Sequence, residues 1–168
     1  MKTNSLIHLK VRILLRGGDN LYIFSKKPTA FAHITGGSDA PNLEGNVKFY
    51  QKQNSVLVVA SISGLPKNTV SGFFAFHIHD GFNCSGVGFS NTKGHYNPTG
   101  VPHPNHAGDL PSLLYCGGNA YLSFITDRFR VDEIIGRTVV IHDGTDDFKS
   151  QPAGNAGKKI ACGVILSK

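Results

Sequence analysis

From Pro28 onward the chain settles into short apolar runs separated by glycine, proline and asparagine, the pattern of strands closed by turns. Residues 29–35 read as a strand stopped by Gly36-Gly37. Residues 45–51 and 55–62 read as two more, joined by Gln53-Asn54 and closed by Gly64-Leu65-Pro66. Residues 73–79, 120–126, 137–142 and 159–166 extend the series, and residues 131–135 suit a short helical turn. Two stretches break the pattern: residues 80–118 and 143–158 are polar, glycine-rich and without periodicity. Structureless runs of that length inside a compact domain are usually functional or disordered. The first of them carries potential metal ligands and two cysteines, which favours function. The expectation is an all-β domain with two long functional loops.

Composition sharpens this in two places. A chain of 168 residues with 20 glycines, 8 prolines and no tryptophan is the size of one domain with a proper core. The net charge of +6 suggests a nucleic-acid partner until its distribution is counted. Residues 1–27 hold six basic groups against Asp19 alone, leaving 11 basic and 10 acidic groups in residues 28–168. A nearly neutral domain, residues 28–168, therefore follows a basic N-terminal extension, residues 1–27, in which Leu9, Val11 and Ile13 could form a strand or a sticky arm. No nucleic-acid partner is expected of the domain. His8, Lys10 and Arg12 interrupt any secretory core in the extension, and no run approaches the ~20 apolar residues of a membrane span.

The chemistry lies in the histidines. Six of the eight fall between His77 and His142. His77 and His79, in Phe76-His77-Ile78-His79, sit two apart on a strand and share one face of it. His95, His103, His106 and Asp109 follow within the first loop, three imidazoles and one carboxylate that make a complete tetrahedral set for Zn²⁺. His77, His79 and His142 remain, all on strands. If His95 turns its second ring nitrogen toward them they become a four-imidazole site, a donor set that suits Cu(II). The sequence His77-Ile78-His79-Asp80 superficially matches a metallohydrolase motif, but Asp80 would point to the opposite strand face.

These segments carry a resemblance. Phe76-His77-Ile78-His79, Gly94-His95-Tyr96-Asn97-Pro98, His106-Ala107-Gly108-Asp109-Leu110-Pro111, Val140-Ile141-His142-Asp143-Gly144-Thr145-Asp146-Asp147 and Gly154-Asn155-Ala156-Gly157-Lys158-Lys159-Ile160-Ala161-Cys162-Gly163-Val164-Ile165 together resemble the copper/zinc superoxide dismutases, and the bacterial branch in particular. The resemblance implies an eight-stranded Greek-key β-barrel or sandwich. It implies copper on His77, His79, His95 and His142, and zinc on His95, His103, His106 and Asp109, with His95 bridging. It further implies that Asp146 hydrogen-bonds His77 and His103, that Cys84 and Cys162 form a disulfide, and that superoxide is disproportionated to O₂ and H₂O₂. Cys116 has no partner in the family pattern, so it reads as a free thiol or an intermolecular bridge.

Two positions depart from the family. Lys159 stands where the family's guiding arginine would be, which keeps the charge and loses the planar fork. His103 and His106 are three apart, where most relatives place these ligands eight or nine apart. The alternative function is a non-catalytic copper- or zinc-binding relative, although members of that kind lose a copper ligand and this chain keeps all four. Monomer and homodimer are both open. So is the compartment: a disulfide argues for an oxidising one, the missing secretory signal for a bacterial cytoplasm.

Overall fold

The structure is a computed structural model that describes residues 27–67 and 71–168. The expected arm, residues 1–27, lies outside the described residues but for Lys27. The described residues form nine strands, a 3₁₀ segment and one α-helical turn, in order: β1 (Ala30–Gly36), β2 (Glu44–Gln51), β3 (Val56–Ser63), β4 (Phe73–Phe74), β5 (Phe76–His79), the 3₁₀ segment (Val87–Thr92), β6 (Leu113–Leu114), β7 (Ala120–Thr126), α1 (Val131–Ile134), β8 (Thr138–His142) and β9 (Lys159–Ser167). Seven of the strands form one antiparallel sheet in the order β5-β8-β9-β1-β2-β3-β7, and β4 pairs with β6 in a second. Counting β4 and β5 as one strand broken at Ala75 gives the eight positions implied by the resemblance. The break has a cause. Ala75 donates its N–H to Gly144 O at 2.7 Å and accepts from His142 N at 2.9 Å, so its backbone follows the end of β8 and the loop beyond it and leaves the β4–β6 pair.

The seven strand runs legible in the sequence fall where they were read, and the turn at 131–135 is α1. The eighth strand was missed. Leu113 and Leu114 pair with Phe74 and Phe73 inside the long first loop, too short a run to show a period against its proline-rich surroundings. Inward positions fill the curled sheet with one core that includes Ile34, Val47, Phe49, Phe74, Phe76, Ile78, Ile141 and Ile165. β5 and β8 are buried throughout, because loops cover their outer faces as well.

Cys84 and Cys162 form a disulfide with Cα atoms 5.7 Å apart, and Cys116 is a free, exposed thiol. The bridge ties the first loop to β9 across a sequence separation of 78 residues. A cross-link of that span restricts the unfolded chain enough to stabilise the fold by about 4 kcal/mol. Cys84→Ser is therefore expected to lower the unfolding free energy of the metal-free protein by that order, read from its urea transition. An unchanged midpoint would show that the loop is held by other means.

Candidate metal centre

The site is built on the free edge of β5. Phe76 and Ile78 point into the core, so His77 and His79 point outward, beneath the loop. Their β8 partners are Val140 and Thr138, which puts His142 on the same outer face just beyond Val140. The other edge of β5 has no strand beside it, and the first loop pairs there instead. Ile78 N donates to Gly108 O at 2.9 Å, Tyr96 N to Ile78 O at 2.8 Å and Gly108 N to Tyr96 O at 2.8 Å. These bonds place His95 opposite His79 and Asp109 opposite His77. Gly108 has to be glycine, because a Cβ there would stand 2.2 Å from Ile78 O.

Two groups of donor atoms result, each with its members within 4.8 Å of one another: His77, His79, His95 and His142, and His95, His103, His106 and Asp109. All six histidines and the aspartate singled out in the sequence are brought together, the closely spaced His106 included. His95 belongs to both groups. Its Nδ1 lies 2.7 Å from Asp109 Oδ1, while its Nε2 is buried without a hydrogen-bond partner. His77 Nδ1, His103 Nδ1 and His106 Nδ1 are also buried without a hydrogen bond, the last two at 3.0 and 3.3 Å from the Asp109 carboxylate. Buried nitrogens are rarely left unsatisfied, and four in two adjoining clusters are the donor set a pair of metal ions would take up.

On His77, His79, His103 and His142 the opposite ring nitrogen is engaged, which fixes which nitrogen faces inward. Asp146 accepts from His77 Nε2 at 2.8 Å and from His103 Nε2 at 2.9 Å. His79 Nδ1 donates to Lys93 O at 2.9 Å, and His142 Nδ1 to Gly157 O at 3.2 Å. Partners of this kind set tautomer and ring plane. His79 Nε2 and His142 Nε2 then face each other at 3.2 Å, two lone pairs aimed at one point.

The second loop grips the first. Gln151 clasps the His103 backbone, accepting its N–H at 3.0 Å and donating to its carbonyl at 2.7 Å. Gly154 adopts φ +63° so closely over the pair that a Cβ would lie 2.0 Å from Asp146 Oδ1 and 2.7 Å from His103 Nε2. Lys159 lies against the other group. Its ammonium donates to Thr92 Oγ1 at 2.8 Å and to Lys93 O at 2.7 Å. Asp80, the residue of the metallohydrolase-like motif, is paired with Arg137. Gln151 and the carbonyls of Lys93 and Gly157 were not legible beforehand, since a backbone acceptor or a single amide in a polar loop carries no sequence signal.

Burial favours the neutral form of four of the imidazoles. It lowers His77 and His106 below the ordinary histidine value, His79 far below it, and His142 to about 3. Burial works the other way on the two carboxylates, but hydrogen bonds outweigh it. His95 lowers Asp109, and His77, the Phe148 N–H and His103 hold Asp146 at about 2. Neutral imidazoles beside ionised carboxylates are the protonation state that metal binding requires.

Residues 43–165 match the family model of copper/zinc superoxide dismutase. The copper-zinc superoxide dismutase 2 of Aquifex aeolicus is 39% identical over 136 residues, covering 72% of this chain and 78% of its own length. That of Legionella pneumophila is 32% identical over 145 residues, covering 82% of this chain and 85% of its own length. The extracellular enzyme of Rattus norvegicus is 35% identical over 138 residues, 76% of this chain and 56% of its own length. The chain belongs to the copper/zinc superoxide dismutase family.

The buried histidines give the metal-free protein an acid limb. With His142 at about 3 in the fold and near 6.5 in the unfolded chain, the unfolded state binds more protons between these values. Stability present above about pH 6.5 is thus lost progressively as pH falls toward 3. Asp146, at about 2, adds its share only below about pH 4, where unfolded aspartates titrate. The urea midpoint of the metal-free protein should fall between pH 7 and 4.5, and a flat midpoint over that range would contradict the buried, neutral histidines.

Proposed function

We propose that this chain is a copper- and zinc-dependent superoxide dismutase that converts two superoxide ions and two protons to O₂ and H₂O₂. Residues 28–168 would form the dismutase domain and residues 1–27 a basic extension of it. The observation that carries the reading is the position of His95, whose two ring nitrogens face two different donor groups. Copper would be held by Nδ1 of His77 and Nε2 of His79, His95 and His142. Zinc would be held by Nδ1 of His95, His103 and His106 and by Asp109. When bound, copper supplies one-electron redox chemistry and zinc a fixed positive charge.

The chain's own residues do the rest. His95 Nε2 is the group able to hold a proton and release it toward a reduced dioxygen anion beside it. Asp146 keeps His77 and His103 in register, so the two halves of the centre move together. Lys159 draws the substrate. Two of its three N–H donors are spent on Thr92 and Lys93, which leaves one for an incoming anion. Both of its partners are uncharged acceptors, so its positive charge is not cancelled. No copper donor is missing, as it would be in a non-catalytic relative.

The first test is metal content together with activity. The purified protein should hold one copper and one zinc per chain and accelerate superoxide decay. His95→Ala should then lose tight zinc binding and the bridged copper spectrum together, because it removes a donor from both groups. Zinc retained at one per chain with only copper reduced would restrict His95 to the copper group.

Charge at position 159 gives a second test. Lys159→Arg should change the dismutation rate by no more than about tenfold, roughly 1.4 kcal/mol in the barrier. Lys159→Glu should cost far more and reverse the salt dependence, since added salt would then relieve a repulsion. Pulse radiolysis at several ionic strengths reads both effects. Equal salt slopes for lysine and glutamate would remove Lys159 from the path of the substrate.

A further inference from the structure

The segment that brings His106 and Asp109 to the site is short, and its carbonyl groups converge on its far side. Pro104 O, His106 O and Asp109 O lie 3.0, 3.4 and 3.2 Å from one atom, Arg128 Nη1. Three carbonyl dipoles aimed at one point repel each other unless a cation stands there, and hydrogen bonds from a charged donor are the stronger kind. Arg128 does not come from the loop it holds. It follows β7, with its own N–H on Thr126 Oγ1 at 3.2 Å. The next residues, Phe129 and Val131, are buried at 3% and 1% exposure. Phe129 stacks edge-on against Phe49 at 6.4 Å, and Val131 N donates to Gln51 Oε1 at 2.9 Å. The guanidinium is thereby mounted on the barrel wall.

We infer that Arg128 is a positioning residue for the zinc group, transmitting the rigidity of the barrel to His106 and Asp109 through their carbonyl oxygens. The inference rests on the reading of His95, His103, His106 and Asp109 as zinc ligands. A His103–His106 interval of two residues leaves little chain to pack against itself. In the segment, Asn105 N reaches Pro102 O at 2.9 Å and Asp109 N reaches His106 O at 3.2 Å, and neither bond ties the turn to the barrel. Ala107 and Leu110 seat the loop in the core, so the fold does not require Arg128. What Arg128 adds is orientation. With it in place, the Asp109 carboxylate also accepts the His106 N–H at 3.0 Å, and the carbonyls on the other side cannot rotate inward to compete with the ligand atoms.

The test uses the full chain loaded with copper and zinc, and reads zinc release into an excess of a chromogenic zinc chelator. Arg128→Met keeps the length and apolar stem and removes the charge. It is expected to speed zinc release about tenfold, the low end for groups that orient metal ligands, with copper retained and the thermal midpoint of the metal-free protein unchanged. Arg128→Lys, a point charge with three donors, is expected to restore most of the slow release. Release from Arg128→Met at the original rate would overturn the inference, and so would a metal-free midpoint lowered as far as the loaded one, which is the mark of a general structural role. An unaltered protein that takes up no zinc at all would instead defeat the reading of the ligand set.

Discussion

Everything at the metal centre depends on a backbone pairing that the core does not need. β5 is the last strand of its sheet, and an exposed edge is normally a liability because its N–H and C=O groups invite other chains. Here the edge is covered by the chain's own loop, and that cover delivers His95 and Asp109 opposite His79 and His77. Strand geometry does the measuring. Partners across an antiparallel pair stand about 4.5–5.5 Å apart, a distance at which two imidazoles reach a common point. Gly108 is the contact that permits the approach. The spacing of the donor groups is thus inherited from hydrogen-bond geometry, and long flexible side chains are not needed to search for it.

The second dependence is electrostatic. Two carboxylates, Asp109 and Asp146, are nearly inaccessible at 6% and 2% exposure. Buried charge is costly unless it is paired and hydrogen-bonded. Asp109 lies among His95, His103 and His106, and Asp146 between His77 and His103. His103 touches both carboxylates, His95 adjoins His77 and His79, and Gln151 and Gly154 fix the second loop over them. The two loops therefore order each other through the site. Either loop displaced would strand a carboxylate without its partners, so they are expected to close as one unit rather than independently.

How much of this could be read from the sequence follows from how each residue acts. Short apolar runs bounded by turn residues marked seven strands. They could not mark β6, two leucines that pair in a proline-bounded stretch. The ligands were legible because imidazole and carboxylate are rare, recognisable donors and their spacing limits the geometry. Asp146 and the Cys84–Cys162 bond came through family resemblance and not from spacing. The acceptors of Lys93 and Gly157 were invisible, since every residue carries a carbonyl and only the fold decides where it points. Arg128 and Gln151 were invisible for a related reason: they act on loop backbone far away in sequence, and nothing near them in the chain marks that use.

Lys93 shows how the fold holds the lysine at position 159. Its backbone sits at φ 60°, ψ −148°, a region favoured by glycine and costing other residues on the order of 1–3 kcal/mol. Such a conformation persists only where its surroundings over-determine it. The Lys93 carbonyl receives both the His79 N–H and the Lys159 ammonium, and the Cys84–Cys162 bridge anchors the same loop to the strand that carries Lys159. A lysine is shorter and looser than an arginine with its planar guanidinium, and on the surface it would wander. Tethered to a carbonyl and a buried hydroxyl, it is held in place by neutral acceptors. An acidic partner would have fixed it just as firmly and cancelled its field. The strained carbonyl fixes the cation beside the histidines and leaves its charge uncancelled.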